Sequence, residues 1–190
     1  KDVSLTTNGQ LLAEKAVSLQ KAGLKRVNVS LDSLRPGVYR EITRGGDLQK
    51  TLDGIKASLN LGLTPVKLNV VLMKGVNDGE IASFLRLTLD HPIHLRFIEY
   101  MPLDSHDKSW QSKYLPLQIV REEVKAMGYA LEPLDTSSCS GPAQMFQISG
   151  ALGSVGLIHP VSQHFCATCN RLRLTADGFL KPCLYWQEEL

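Results

Sequence analysis

Apolar residues along this chain follow two alternating periods. Residues 3–7 (VSLTT), 27–31 (VNVSL), 66–72 (VKLNVVL) and 94–100 (HLRFIEY) are short, β-branched or apolar runs, and each predicts a strand. Between them the apolar positions recur at helical spacing. Residues 11–22 place Leu12, Ala16 and Leu19 on one stripe, with Gly23 where a helix would close. Residues 48–61 do the same with Leu48, Leu52, Ile55 and Leu59 before Gly62, and 81–89 is a third helical stretch. Asn8-Gly9 is a turn signal after the first strand.

Strands alternating with helices predict a parallel sheet with right-handed crossovers. Four such units are too few to close a barrel, so the expected class is α/β, a partial TIM-like (β/α) barrel of parallel strands. Polar residues interrupt these strands: Thr6, Ser30, Lys67, Asn69, Arg96 and Glu99, with Asp32 just beyond the second. They are expected at or near the C-terminal strand ends, where βα loops gather and ligands bind. A lysine inside VKLNVVL is costly to bury without an anionic partner.

Past residue 101 the pattern breaks. Residues 104–113 read as a polar loop, 117–127 as a helix closed by Gly128, and 136–142 (TSSCSGP) as a loop. Residues 144–148, 154–158 and 171–175 read as short strands, with turns at Gly150, Gly153 and Asp177-Gly178. The expected organisation is therefore a partial barrel over 1–101 and a C-terminal α+β cap over 102–190.

Composition adds exclusions. The chain has 190 residues, is 43% hydrophobic and 21% charged, and carries a formal charge of +2. That balance gives no basic tail for nucleic acid. No apolar run approaches the roughly 20 residues that cross a bilayer, and no secretory signal is visible. We expect a cytoplasmic protein with neither nucleic acid nor membrane as partner. Lys1 opens directly on a strand-like run, which suggests a piece of a longer protein.

Of four cysteines, Cys139 lies in a serine-rich loop and has no expected role. Cys166 and Cys169 form C-x-x-C, and Cys183 follows after thirteen residues. A two-residue gap lets two thiolates face one metal, and a turn at Asp177-Gly178 would fold Cys183 back to join them. Three thiolates suit zinc or an iron–sulfur cluster. His164 and His159 lie nearby, so a zinc-stabilised binding module, with His164 as fourth ligand, competes with an open cluster. Arg171 and Arg173 alternate along the expected strand, both toward one face. With Asn170 they would suit a polyanion such as a triphosphate.

The segments TTNG, NVSLDSL, VKLNVVLMKGVND, LRFIEYMP, GPAQ and FCATCNRLRLTADGFLKPCL together resemble, in this order, the MoaA family of molybdenum-cofactor biosynthesis. Its members are radical S-adenosylmethionine (SAM) GTP 3′,8-cyclases. The resemblance implies a 4Fe–4S cluster on Cys166, Cys169 and Cys183, making 102–190 the cluster-binding region. It implies GTP contacts at Thr6, Lys67, Arg171, Leu172 and Arg173, with Arg171, Arg173 and Arg96 as catalytic arginines. Ser30 and Met101 would contact SAM. The implied chemistry is abstraction of the ribose 3′ hydrogen by a SAM-derived radical, followed by bond formation to guanine C8. The pathway implies a cyclic pyranopterin monophosphate synthase downstream, and the family allows a homodimer. No C-x-x-x-C-x-x-C for the SAM-cleaving cluster occurs here, so this piece alone is expected not to cleave SAM. Another radical SAM enzyme with an auxiliary cluster is a third reading.

Overall fold

The computed structural model describes residues 2–102, 110–135, 141–169 and 171–184. The loop expected at 136–142 falls mostly outside the described residues, as does most of 104–113; Cys139 and Asn170 lie outside them entirely.

The strand–helix alternation is present. It runs β1 (Ser4–Thr7), α1 (Leu12–Lys21), β2 (Arg26–Ser30), α2 (Pro36–Ile42), α3 (Leu48–Asn60), β3 (Val66–Leu72), α4 (Ile81–Asp90) and β4 (Ile93–Glu99). Then come α5 (Trp110–Lys113), α6 (Gln118–Ala126), β5 (Leu131–Pro133), β6 (Gln144–Ile148) and β7 (Ser154–Ile158). A small hairpin, β8 (Arg173–Leu174) and β9 (Leu180–Lys181), ends the described chain. Four of these elements, α2, α5, β5 and β9, are absent from the sequence expectation because each is too short to show a period. Pro36 opens α2 at a position where its missing N–H costs nothing.

Seven strands form one sheet in the order β1-β2-β3-β4-β7-β6-β5. β1 to β4 pair in parallel, and β7 joins β4 in parallel. β6 is the reversed strand, antiparallel to both β7 and β5. Among the described residues the sheet ends in two edges, β1 and β5, and does not close into a barrel. Of the strands beyond residue 101, β5, β6 and β7 thus extend the same sheet, while β8 and β9 pair only with each other.

Burial alternates along the central strands. In β3, Val66, Leu68, Val70 and Leu72 are buried, and in β4 so are Ile93, Leu95 and Phe97. These side chains join Val27, Val29 and Leu31 and the apolar stripes of the helices, including Leu12, Ile55, Phe84 and Val120, in one core. Fully burying such an aliphatic side chain stabilises by about 1.5–3 kcal/mol, so register is firmly set. A one-residue slip would send each apolar set to the other face. The helices close tightly on one another as well. A Cβ at Gly54 of α3 would meet Leu12 Cβ of α1 at 2.8 Å.

Candidate active site

The alternation that buries the valines turns the intervening side chains to the opposite face of the sheet. Register then arranges them in rows. Thr6 of β1 pairs with Asn28 of β2, Asn28 with Lys67 of β3, Lys67 with His94 of β4, and His94 with Ser154 of β7. The next row is Ser30, Asn69, Arg96 and Gly156. Parallel strands covered on both faces read as continuous apolar runs; here one face is polar across five strands. Lys67 is the second residue of a seven-residue strand and Asn69 and Arg96 are each the fourth of theirs, so the expectation of strand C-termini is corrected for these three, while Thr6 is next to last in β1 and Ser30 and Glu99 end β2 and β4. Lys67 stands near the start of its strand and Arg96 at mid-strand, both on the same face.

This face is cationic. Burial, then Arg96 and Arg26, push the Lys67 ammonium down to about 8, opposed by Asp2. Burial, Lys67 and Arg96 lower His94, which leaves its imidazole neutral at pH 7. Burial lowers Arg96 too, with Arg26 and Arg171 adding to the effect. Arg26 has a carboxylate partner in Asp2 at 2.5 Å. Asn28 Nδ2 donates to Thr6 Oγ1 at 3.3 Å, which orients that hydroxyl. Gly156 leaves room for Arg96, since a Cβ there would meet Arg96 Cγ at 3.2 Å and Met145 Sδ at 3.0 Å.

The loops beyond the strands are braced by buried polar groups. Asn77 Nδ2 donates to the Asp32 and Val71 carbonyls, and Asn77 Oδ1 accepts from Met73 N–H. The Glu80 carboxylate accepts from Ser33 Oγ, Leu34 N–H and Arg35 Nε. Asp32 accepts from Val71 N–H at 2.8 Å, while burial pushes its pKa up. Asn77 and Glu80 were not singled out in the sequence. Their signal is that an amide and a carboxylate close the loop between an apolar strand and an apolar helix. Ser30, at the end of β2, is exposed; Met101, past β4, is half-buried.

Cys166 and Cys169 lie in and just after a single 3₁₀ turn, closed by Cys169 N–H donating to the Cys166 carbonyl at 3.2 Å. Arg171, through its backbone and its side chain, bonds the Cys169 thiolate and draws its pKa down. The Arg171 guanidinium also lies 5.4 Å from the Phe165 ring centre. It depresses Arg96 as well, so this segment is electrostatically coupled to the sheet's polar face. The expected turn at Asp177-Gly178 is present. Thr175 and Phe179 close it with backbone bonds, and Gly178 takes φ +96°.

The hairpin sets Arg173 opposite Lys181 and Leu174 opposite Leu180. Only Arg173 of the expected arginine pair lies in a strand; Arg171 precedes it, which corrects the 171–175 strand. Leu172 is 71% exposed.

The three cysteines are free and exposed. Among the described residues no three His, Cys, Asp or Glu side chains gather into a metal-binding group. Their donor chemistry suits a thiophilic metal, but Cys166, Cys169 and Cys183 are not brought together as placed. A zinc site completed by His164 is not assembled either.

Residues 93–190 match the protein family described as Molybdenum Cofactor Synthesis C, and residues 1–88 match the Radical SAM superfamily. The chain belongs to the Molybdenum Cofactor Synthesis C family. Its family relatives include proteins named GTP 3′,8-cyclase. The one from Listeria monocytogenes serovar 1/2a is 57% identical over 189 residues, covering 100% of this chain and 57% of its own length. That from Alkaliphilus oremlandii is 52% identical over 190 residues, 58% of its length. That from Limosilactobacillus fermentum is 48% identical over 189 residues, 57% of its length. The chain thus spans somewhat over half the length of these relatives. No helix among the described residues is long and apolar enough to cross a membrane.

Proposed function

We propose that this chain is the substrate-holding part of a GTP 3′,8-cyclase of molybdenum-cofactor biosynthesis, which converts GTP to 3′,8-cyclo-7,8-dihydro-GTP by radical SAM chemistry. One observation carries the reading. Thr6, Lys67 and Arg96 share one face of the sheet in adjacent rows, and Arg171 is electrostatically coupled to Arg96. Cations crowded closely enough to depress one another's pKa values favour a polyanion between them. A nucleoside triphosphate supplies that charge. The kinship with proteins named GTP 3′,8-cyclase points to the same ligand.

On this reading Lys67, Arg96, Arg171 and Arg173 grip the phosphates, Thr6 donates to the nucleotide, and Leu172 contributes its backbone. Ser30 and Met101 meet SAM, on the end of β2 and beyond the end of β4. Cys166, Cys169 and Cys183 hold the 4Fe–4S cluster once the hairpin closes over the face. That cluster, when bound, offers an open iron to the purine. The residues of this chain bind and orient, which is catalysis by positioning. Residues 1–101 then correspond to a partial TIM-like barrel and 102–190 to the cluster-binding region. GTP is the partner that these side chains recognise; a cyclic pyranopterin monophosphate synthase acts downstream in the cytoplasm, and a homodimer is the proposed assembly.

Calorimetric titration of GTP into the full-length protein tests the grip. Lys67→Ala and Arg96→Ala each remove a charge-assisted contact worth about 1.5–3 kcal/mol, or roughly 10- to 100-fold in affinity. Unchanged affinity in both variants removes the reading. Cys166→Ala should lose the C-terminal cluster's iron after anaerobic reconstitution; finding zinc there instead would favour the binding module.

A further inference from the structure

Glu99 ends β4 on the apolar side of the alternation and is fully buried. A carboxylate there needs compensation, and it has five polar neighbours. One oxygen, Oε2, accepts from Val161 N–H and Ser162 N–H, both at 2.9 Å. The other, Oε1, accepts from Ser162 Oγ at 2.5 Å and Tyr114 OH at 3.2 Å, and lies 3.4 Å from His159 Nδ1. Two successive backbone N–H groups converging on one oxygen make an anion-binding nest. Burial pushes the Glu99 pKa up, but the bonds from Ser162 and Val161 outweigh it and hold the group below the usual carboxylate range. It stays ionised.

We propose that Glu99 is a positioning residue that sets where the chain enters the cysteine segment relative to the sheet's polar face. This rests on the reading that Cys166 and Cys169 are cluster ligands. Upstream on the same strand, Arg96 is three residues away, and Met101 follows two residues later. From the captured 161–162 pair the chain reaches Phe165, which packs on Ala143, Met145 and Ile158. Cys166 is next. A ligand lying between the arginine of β4 and the thiolates would therefore find both sides fixed through this carboxylate. Glutamine has the same shape but one acceptor oxygen. With that oxygen on the two backbone N–H groups, its NH2 would face Ser162 Oγ, Tyr114 OH and His159 Nδ1, so the substitution takes the charge out of the nest and reverses the hydroxyl bonds.

The test compares wild type with Glu99→Gln, Glu99→Asp and Ser162→Ala in the full-length protein. Hydrogen exchange of the 159–166 peptide, thermal unfolding, and the change that GTP induces in the cluster's electron paramagnetic resonance spectrum are measured together. Glu99→Gln should speed exchange of the Val161 and Ser162 amides by about 10- to 100-fold, the cost of losing a charged acceptor. It should also abolish or shift the GTP-induced spectral change. Glu99→Asp should recover part of both effects, and Ser162→Ala should move both less and in the same direction. Unchanged exchange in Glu99→Gln overturns the proposal. So does faster exchange with an unaltered GTP-induced spectrum, because a purely structural anchor would leave that signal alone. If Glu99→Gln fails to fold, Ser162→Ala decides by the same two readouts. A wild type that binds no iron at these cysteines sinks the functional reading instead, while the exchange data still judge the anchor.

Discussion

The polar face of the sheet and the cysteine hairpin both present arginines, and they are held in place by opposite means. Behind the face, β2, β3 and β4 are locked by continuous parallel register and an apolar core. The hairpin has two-residue strands, and Leu172, Leu174, Phe179 and Leu180 are all exposed on it. Among the described residues, its ties to the rest include the contacts around Phe165 and Arg171 and the capture of residues 161–162 by Glu99. The difference teaches where the site's order originates. The half proposed to grip anions is backed by the core, and the half that carries the cysteines depends on a few anchors.

The sharpest way to break this comparison is to truncate one leucine on each side. Leu68 of β3 is fully buried in the core. Leu68→Ala should cost about 2–5 kcal/mol, as buried leucine truncations do, seen as a lower midpoint in urea unfolding. A cost below about 1 kcal/mol would mean that the sheet is not the rigid partner.

The second test asks whether the face behaves as a cationic surface. Lys67 is pushed down to about 8 from 10.5, so between those values the unfolded chain binds the proton more tightly than the folded one. Stability then rises with pH across that window, because the unfolded state carries more protons there. Anion binding runs the other way. The ammonium is charged below about pH 8, so GTP affinity should fall as pH climbs past it. Lys67→Arg should flatten that fall, since a guanidinium stays charged. A pH-independent affinity between 7 and 9.5, measured by calorimetry in the wild type, would detach Lys67 from the anion site.

How much of this could be read beforehand follows the same divide. β3, β6 and β7 are legible to the residue, because hydrophobic period and turn glycines agree there. The polar face is half visible: Thr6, Lys67 and Arg96 stand out as polar interruptions, but the strand-end expectation holds for Thr6 and not for Lys67 or Arg96. Only register shows that Asn28 and His94 complete a row with Thr6 and Lys67. β5 and β9 were invisible because three- and two-residue strands carry no period. Glu99 stands out as a polar strand residue, yet the two residues whose backbone it captures, Val161 and Ser162, lie more than sixty residues away in sequence. No local pattern encodes such a contact.

The smallest expected effect completes the pair. Leu174 of β8 is 72% exposed, the same residue type as Leu68 in a strand of the same chain. Leu174→Ser removes little buried apolar area, so unfolding should shift by no more than about 0.5 kcal/mol. If the hairpin were already fixed by packing, the change would cost as much as a half-buried leucine, about 1 kcal/mol or more. A near-silent Leu174→Ser beside a severe Leu68→Ala places the hairpin's order outside the core. Its orientation relative to Arg96 would then be set by the Glu99 anchor and by whatever the thiolates hold, not by burial of its own leucines.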